Sequence, residues 1–183
     1  MIESLDMHVL DLVQNSTSAG ATKITVLVAC DQVTDQLTLQ VSDDGRGMDE
    51  DTMNAVRRGY FSSKSPKSVG LGIPLLREVA EHCDGSFDIK SGLGKGTTVT
   101  ATFRRSHVDL PPFGDLVKTF LNILVTSGIR WVRITYRCDN REFLVDTNEL
   151  HDVLGEVSLQ HPEVIQFLQG YIEERMERNW EGT

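Results

Sequence analysis

No apolar run in the sequence approaches the roughly 20 residues needed to cross a bilayer, so no membrane span is expected. No HExxH motif and no Cys/His cluster occurs, which leaves nothing from which to build a zinc site. The three cysteines, Cys30, Cys83 and Cys138, form no CxxC pair and stand far apart. They read as reduced thiols of a cytosolic protein, with Cys138 exposed beside the turn "CDNRE". Positive charge is scarce: 18 Lys and Arg against 27 Asp and Glu leave a net charge of −9. Nucleic acid and anionic membrane surfaces both demand a basic face, so neither is expected as a partner. The opening "MIESLDMHVLDL" carries two early acids and no basic stretch, so it does not read as a secretory signal. No internal repeat or low-complexity tract is visible.

What is present suits an ordinary globular chain. It has 183 residues, 39% of them hydrophobic, enough for one domain with a small appendage. Residues 2–19 carry a helical stripe of Leu5, Val9, Leu12 and Val13, closed by Gly20. "TKITVLVAC" (22–30) and "QLTLQVS" (36–42) are rich in β-branched residues and read as a hairpin. The glycine-bearing loop "DDGRGM" (43–48) follows, then a short helix over 49–58 capped by Asp49 or Asp51. A polar loop, "GYFSSKSPKS" (59–68), leads to "VGLGIPLLREVAEHCDG", an amphipathic helix ending near Gly85. "SFDIKSG" (86–92) and "GTTVTATFRR" (96–105) make a second hairpin. Helices on one face of a largely antiparallel sheet define an α+β two-layer sandwich. "SHVDLPPFG" (106–114) reads as a boundary, dividing the chain into 1–106 and an α+β appendage, 107–183. The appendage is expected to hold a helix near 113–127, a hairpin, and helices over 147–155 and 161–178, and to be dispensable for ligand binding.

Two short stretches invite a functional reading. In "VSDDGRGMD" a strand ends in acids, and Gly45 and Gly47 allow a tight turn and close approach to a flat ligand. Asp43 at the strand end could accept a hydrogen bond from an exocyclic amine. In "SVGLGIPLL", Gly70 and Gly72 open a helix, where free N–H groups favour anions. It is neither a Walker A loop nor a dinucleotide fingerprint. Taken singly, each stretch reads first as a surface turn. A third feature is Asp11 and Asn15, four residues apart on the first helix and off its apolar stripe.

In order, "DLVQN", "DDGRG", "GLG" and "GTT" resemble the motifs of the Bergerat-fold ATPases, the superfamily of DNA gyrase, histidine kinases, mismatch-repair ATPases and a heat-shock chaperone. The resemblance covers residues 1 to about 105. It implies ATP and Mg²⁺ as cofactors. By the same resemblance Asn15 binds the metal, and Asp11 polarises the attacking water or acceptor hydroxyl. Asp43 and Thr97 take the adenine amino group, with Gly45, Gly47 and Met48 shaping the base pocket. Gly70, Leu71 and Gly72 offer N–H groups to the phosphates. Lys64 reaches the γ-phosphate from a lid in which Phe61 either covers the nucleotide or packs into the core.

Two departures stand out. Gyrase-type relatives carry Glu where this chain has Asp11, and a carboxylate set back by one methylene can cost roughly a hundredfold in rate. The lid is also short and polar, closer to that of sensor kinases and anti-sigma factors. Few residues precede Asp11, and neither His8 nor His82 has the setting of a phosphorylated histidine; both read as surface or helix-face residues. The resemblance therefore points to a stand-alone, cytoplasmic serine/threonine protein kinase or ATPase. Its partner would be a cytosolic regulatory protein, and such relatives also pair as homodimers. The alternative is an adaptor whose ATP-closed lid binds a partner without useful chemistry.

Overall fold

A computed structural model describes residues 4–57, 72–126 and 128–180. Its centre is a mixed sheet of six strands: β1 (Lys23–Asp31), β2 (Gln36–Asp43), β3 (Ser86–Gly92), β4 (Gly96–Arg104), β5 (Trp131–Cys138) and β6 (Arg141–Asp146). They lie in the order β3-β4-β2-β1-β5-β6. Only the β1–β5 pair is parallel; the other neighbours are antiparallel. The helices are α1 (Leu5–Ser18), α2 (Glu50–Arg57), α3 (Gly72–His82), α4 (Leu116–Leu124), α5 (Thr147–Leu154) and α6 (Pro162–Trp180). The α+β two-layer architecture read from the sequence is the one observed, with α1, β1, β2, α2, α3, β3 and β4 in the expected order.

Period-two alternation in the strands decides which face the helices cover. Ile24, Val26 and Val28 of β1 are buried, as are Leu37, Leu39 and Val41 of β2. Register carries this face across the sheet, so Val99, Val41, Val26, Ile134 and Val145 form one apolar row. The opposite face carries hydroxyl and amide pairs, such as Ser42 with Thr98 at 2.7 Å and Gln40 donating to Thr100 at 2.9 Å. The apolar face of α1 (Leu5, Val9, Leu12, Val13) is buried in the same core, and α1 packs against both α3 and α4.

Helix ends follow local chemistry. Gly20 N–H donates to the Thr17 carbonyl and Ala21 N–H to that of Ser16, a Schellman closure with Gly20 at φ +75°. At the end of α3 the left-handed residue is Asp84, not Gly85. Asp49 is the cap of α2, its carboxylate accepting from Thr52 N–H at 2.8 Å.

The range 107–183 is joined to the rest by the sheet itself. β5 pairs along β1, and residues of α4, β5, β6 and α6 share one hydrophobic cluster with α1 and β1. The connection is pinned where Leu5 N–H and Asp6 N–H donate to the carbonyls of Pro112 and Phe113, and where the buried Asp6 carboxylate accepts from Asp115 N–H at 2.8 Å.

Two expectations need correction. Cys30 and Cys138 are not reduced thiols: they face each other across β1 and β5, with Cα atoms 4.6 Å apart, and form a disulfide. Cys138 is buried, not exposed. The pair is separated by 108 residues, and only the parallel docking of β5 on β1 brings it together. Cys83 is free and buried; burial, with Asp109 and Asp84 nearby, pushes its thiol pKa up and makes it a poor nucleophile. Of the two settings expected for His8, surface or helix face, it has the second: it lies on α1 and is buried, at 1% exposure.

A cross-link closing so long a loop stabilises a fold by about 4–5 kcal/mol, chiefly through the unfolded chain. The double substitution Cys30→Ala with Cys138→Ala is therefore expected to lower the unfolding free energy by that amount, read as a lower urea midpoint, while leaving the circular dichroism spectrum intact. An unchanged midpoint would mean that the bridge carries no stability.

Candidate functional site

The site begins where the strand register runs out of apolar residues. The last row on the helix-covered face reads Ser91, Thr97, Asp43, Ile24 and Val132. Its β3–β4–β2 half is polar and opens into a cavity of about 350 Å³, within the usual range for small-molecule sites. Asn15, Ser16, Ser18 and Ala19 of the end of α1 form one wall. Val41, Asp43, Thr97 and Val99 form the floor, and Arg46, Gly47, Met48, Asp49 and Thr52 a second wall. Ile73 of α3 and the exposed Leu93 complete it.

The Asp43 carboxylate is held at both oxygens. Oδ1 accepts from Gly45 N–H at 2.8 Å, and Oδ2 accepts from the Ser16 hydroxyl at 2.7 Å. Ser16 also lies 3.1 Å from the Leu12 carbonyl, but a charged acceptor at the shorter distance takes its single proton. Each carboxylate oxygen keeps lone pairs for the cavity.

The adjoining loop is clamped by the second acid. Asp44 accepts from Thr22 N–H at 2.7 Å, Lys23 N–H at 2.8 Å and the Thr22 hydroxyl at 2.9 Å. Burial alone would raise its pKa; these bonds outweigh burial and hold it below the ordinary carboxylate value. Asp44 thus ties the loop to the α1–β1 connection, and Arg46 N–H donating to the Ala19 carbonyl at 3.0 Å adds a second tie.

Gly47 has φ +65°, and a Cβ there would lie 2.0 Å from the Gly92 carbonyl oxygen. The loop therefore passes directly over the β3–β4 turn, and Gly94 N–H donates to the Arg46 carbonyl at 2.7 Å. Ser91 joins the two segments: its hydroxyl accepts from Met48 N–H at 2.9 Å, and lies 2.9 Å from the Gly96 carbonyl and 2.8 Å from the Thr97 hydroxyl.

The structure thus brings Asn15, Asp43, Gly47, Met48 and Thr97 around one cavity, with Gly45 bonded to Asp43 beneath it. Asp11 and Gly72 meet elsewhere. Asp11 is half-buried one turn before Asn15, and a Cβ on Gly72 would lie 2.9 Å from its Oδ2. Its carboxylate therefore rests against the first turn of α3, where a helix dipole favours negative charge. Phe61, Lys64, Gly70 and Leu71 lie outside the described residues.

Sequence reasoning missed Ser16, Asp44 and Ser91. A signal existed for Ser91. Folding the second hairpin about its glycine turn sets Ser91 opposite Thr97, a cross-strand hydroxyl pair.

The family model described as "Histidine kinase-, DNA gyrase B-, and HSP90-like ATPase" matches residues 2–107. That is more than half of the chain, and the chain belongs to this family of ATP-binding domains. A putative sensor protein of Shewanella frigidimarina (strain NCIMB 400) is 27% identical over 109 residues, 58% of this chain and 17% of that protein. The sensor histidine kinase YvrG of Bacillus subtilis (strain 168) is 27% identical over 99 residues, 52% of this chain and 17% of that one. The heme sensor protein HssS of Staphylococcus saprophyticus is 31% identical over 96 residues, 52% of this chain and 21% of that one. The chain thus matches between 17% and 21% of the length of these relatives. The N-terminal domain of a DNA repair protein superposes with a TM-score of 0.53 at 16% identity, covering 78% of this chain and 51% of that one, a likeness of fold. No described helix is long and apolar enough to cross a membrane.

Proposed function

We propose that the cavity binds ATP with Mg²⁺, and that the protein passes the γ-phosphoryl group to a hydroxyl of a cytosolic regulatory protein, in the manner of an anti-sigma serine/threonine kinase, or to water when no acceptor is present. One observation carries the reading. Asp43 and Thr97 stand side by side on the cavity floor, and the wall beside them is the segment of α1 that bears Asn15.

The residues fit the ligand's chemistry. The base would lie on Val41, Val99 and Ile73, with its amine toward Asp43 and Thr97. Among the described residues no three His, Cys, Asp or Glu side chains gather as a metal cage. A magnesium ion held mostly by phosphate oxygens and water needs only one or two protein oxygens, and the Asn15 amide supplies one. When bound, the metal neutralises phosphate charge and orients the γ-phosphoryl group. Asp11, one turn earlier on the same helix, would orient the attacking hydroxyl and hold its proton.

The sensor kinases among the relatives support phosphoryl transfer as the reaction class. They also admit a histidine on a separate segment or chain as acceptor; phosphoserine survives acid and phosphohistidine does not, which separates the two products. A second reading is favoured by one observation: the Asp11 carboxylate rests against Gly72. A carboxylate so placed suits an adaptor that binds ATP without turnover.

Calorimetric titration tests both. Wild-type protein should bind ATP in the micromolar range with Mg²⁺. Asn15→Ala should weaken that binding about tenfold when Mg²⁺ is present, the cost of one lost charge-assisted contact, and leave binding in EDTA unchanged. Asp11→Ala should abolish turnover and spare binding. Equal, background turnover in wild type and Asp11→Ala would select the adaptor.

A further inference from the structure

The hydrogens around Ser91 can be assigned by elimination. A serine hydroxyl has one proton and two lone pairs. The Gly96 carbonyl, at 2.9 Å, can only accept, so the Ser91 proton goes there. Met48 N–H, at 2.9 Å, can only donate, so it takes one lone pair. The contact with Thr97 at 2.8 Å must then use the remaining lone pair, with Thr97 as donor. Ser91 is saturated, and the Thr97 proton is committed away from the cavity.

The consequence falls on the cavity floor. Thr97 turns only lone pairs toward a ligand. Asp43 does the same, since its oxygens already hold Gly45 N–H and the Ser16 hydroxyl. These two residues are direct cross-strand partners. Side chains so placed have Cβ atoms about 4.5–5.5 Å apart. Two acceptors on side chains that close can each reach one hydrogen of a single –NH₂ group. The floor therefore fits an exocyclic amine and opposes a carbonyl in the same place.

We propose that Ser91 is a positioning residue that sets base selectivity. By taking the Thr97 proton, it makes the floor acceptor-only, so that a 6-aminopurine nucleotide is admitted and a 6-oxopurine nucleotide is turned away. This rests on the ATP reading above. In Ser91→Ala the Thr97 hydroxyl is released, and its proton turns onto an incoming carbonyl.

The test compares ATP with inosine triphosphate, which replaces the amine by a carbonyl and adds no 2-amino group. Wild type is expected to prefer ATP. Ser91→Ala lowers the ATP-to-inosine-triphosphate affinity ratio about tenfold, the scale of one hydrogen bond turned from opposed to made. Ser91→Thr, which keeps the hydroxyl, retains the wild-type ratio. In a Thr97→Val background, Ser91→Ala has no further effect on the ratio, because the group through which it acts is gone. Should Ser91→Ala fail to fold, Ser91→Cys, whose thiol is a poorer acceptor, shifts the ratio the same way. Wild type that binds ATP while Ser91→Ala keeps its ratio overturns this proposal and leaves the ATP reading standing. An equal fall in the Thr97→Val background also overturns it, since Ser91 would then act by loosening the loop. Binding of neither nucleotide by wild type overturns both.

Discussion

Asp43→Ala is expected to weaken ATP binding by about a hundredfold, the scale of a charged hydrogen bond lost together with the loop geometry that it maintains. Two separate losses combine. The cavity floor loses its anionic acceptor, and the incoming amine faces an apolar stub. Gly45 N–H and the Ser16 hydroxyl, 2.8 and 2.7 Å from the carboxylate, also lose their partner. Ser16 can turn back to the Leu12 carbonyl at 3.1 Å; Gly45 N–H has no such retreat to a side chain. Asp43→Asn should fall between wild type and alanine. Its amide oxygen can keep Gly45 N–H, and Ser16 can accept from its –NH₂ group, so the loop survives with a weaker floor. Calorimetry with ATP-Mg²⁺, paired with thermal melts to show that each variant is folded, measures the effect. Unchanged affinity in folded Asp43→Ala would remove the base from this end of the cavity and with it the proposed mode of binding.

Gly96→Ala is expected to destabilise the fold by about 4 kcal/mol, near the upper end for a single substitution. Gly96 has φ +79°, and a Cβ there would sit 1.9 Å from the Asp43 carbonyl oxygen. The left-handed conformation alone costs an alanine about 1–2 kcal/mol. The rest comes from backbone meeting backbone, which no rotamer change relieves. The end of β2 must separate from the start of β4, the pair of segments that carry Asp43 and Thr97. Gly94 supplies the control: it has φ +71° with nothing within 4 Å, so Gly94→Ala carries only the conformational cost of about 1–2 kcal/mol. Urea unfolding of the two variants separates strain from collision. Equal losses would mean that the close approach at Gly96 is relieved elsewhere.

Most elements could be read from local pattern. The β-branched runs at 23–31 and 36–43 are strands, and the amphipathic stripe of α4 is a helix, because period and propensity agree within each stretch. Asp43 and Thr97 could be paired only through resemblance, and the sheet register sets them side by side. What escaped depends on distance along the chain. Nothing local says that β5 runs parallel to β1, since β-branched residues in β1 and apolar–polar alternation in β5 mark each as a strand without naming its neighbour. Without that pairing Cys30 and Cys138 are two unrelated thiols. Ser16 and Ser91 escaped for another reason: serine is common at helix ends and beside turns, and its role follows only when the acceptor opposite it is known.

The docking of β5 along β1 has a practical consequence. A chain cut at the end of the family match would leave every unpaired N–H and C=O along one side of Lys23–Asp31 facing water, on a strand whose stretch from Ile24 to Ala29 is Ile, Thr, Val, Leu, Val and Ala. Such a bare margin invites another copy to zip onto it. The ATP-binding portion, once cut free of the last 76 residues, 183 less 107, is therefore expected to self-associate, because those residues hold the hairpin that covers this margin.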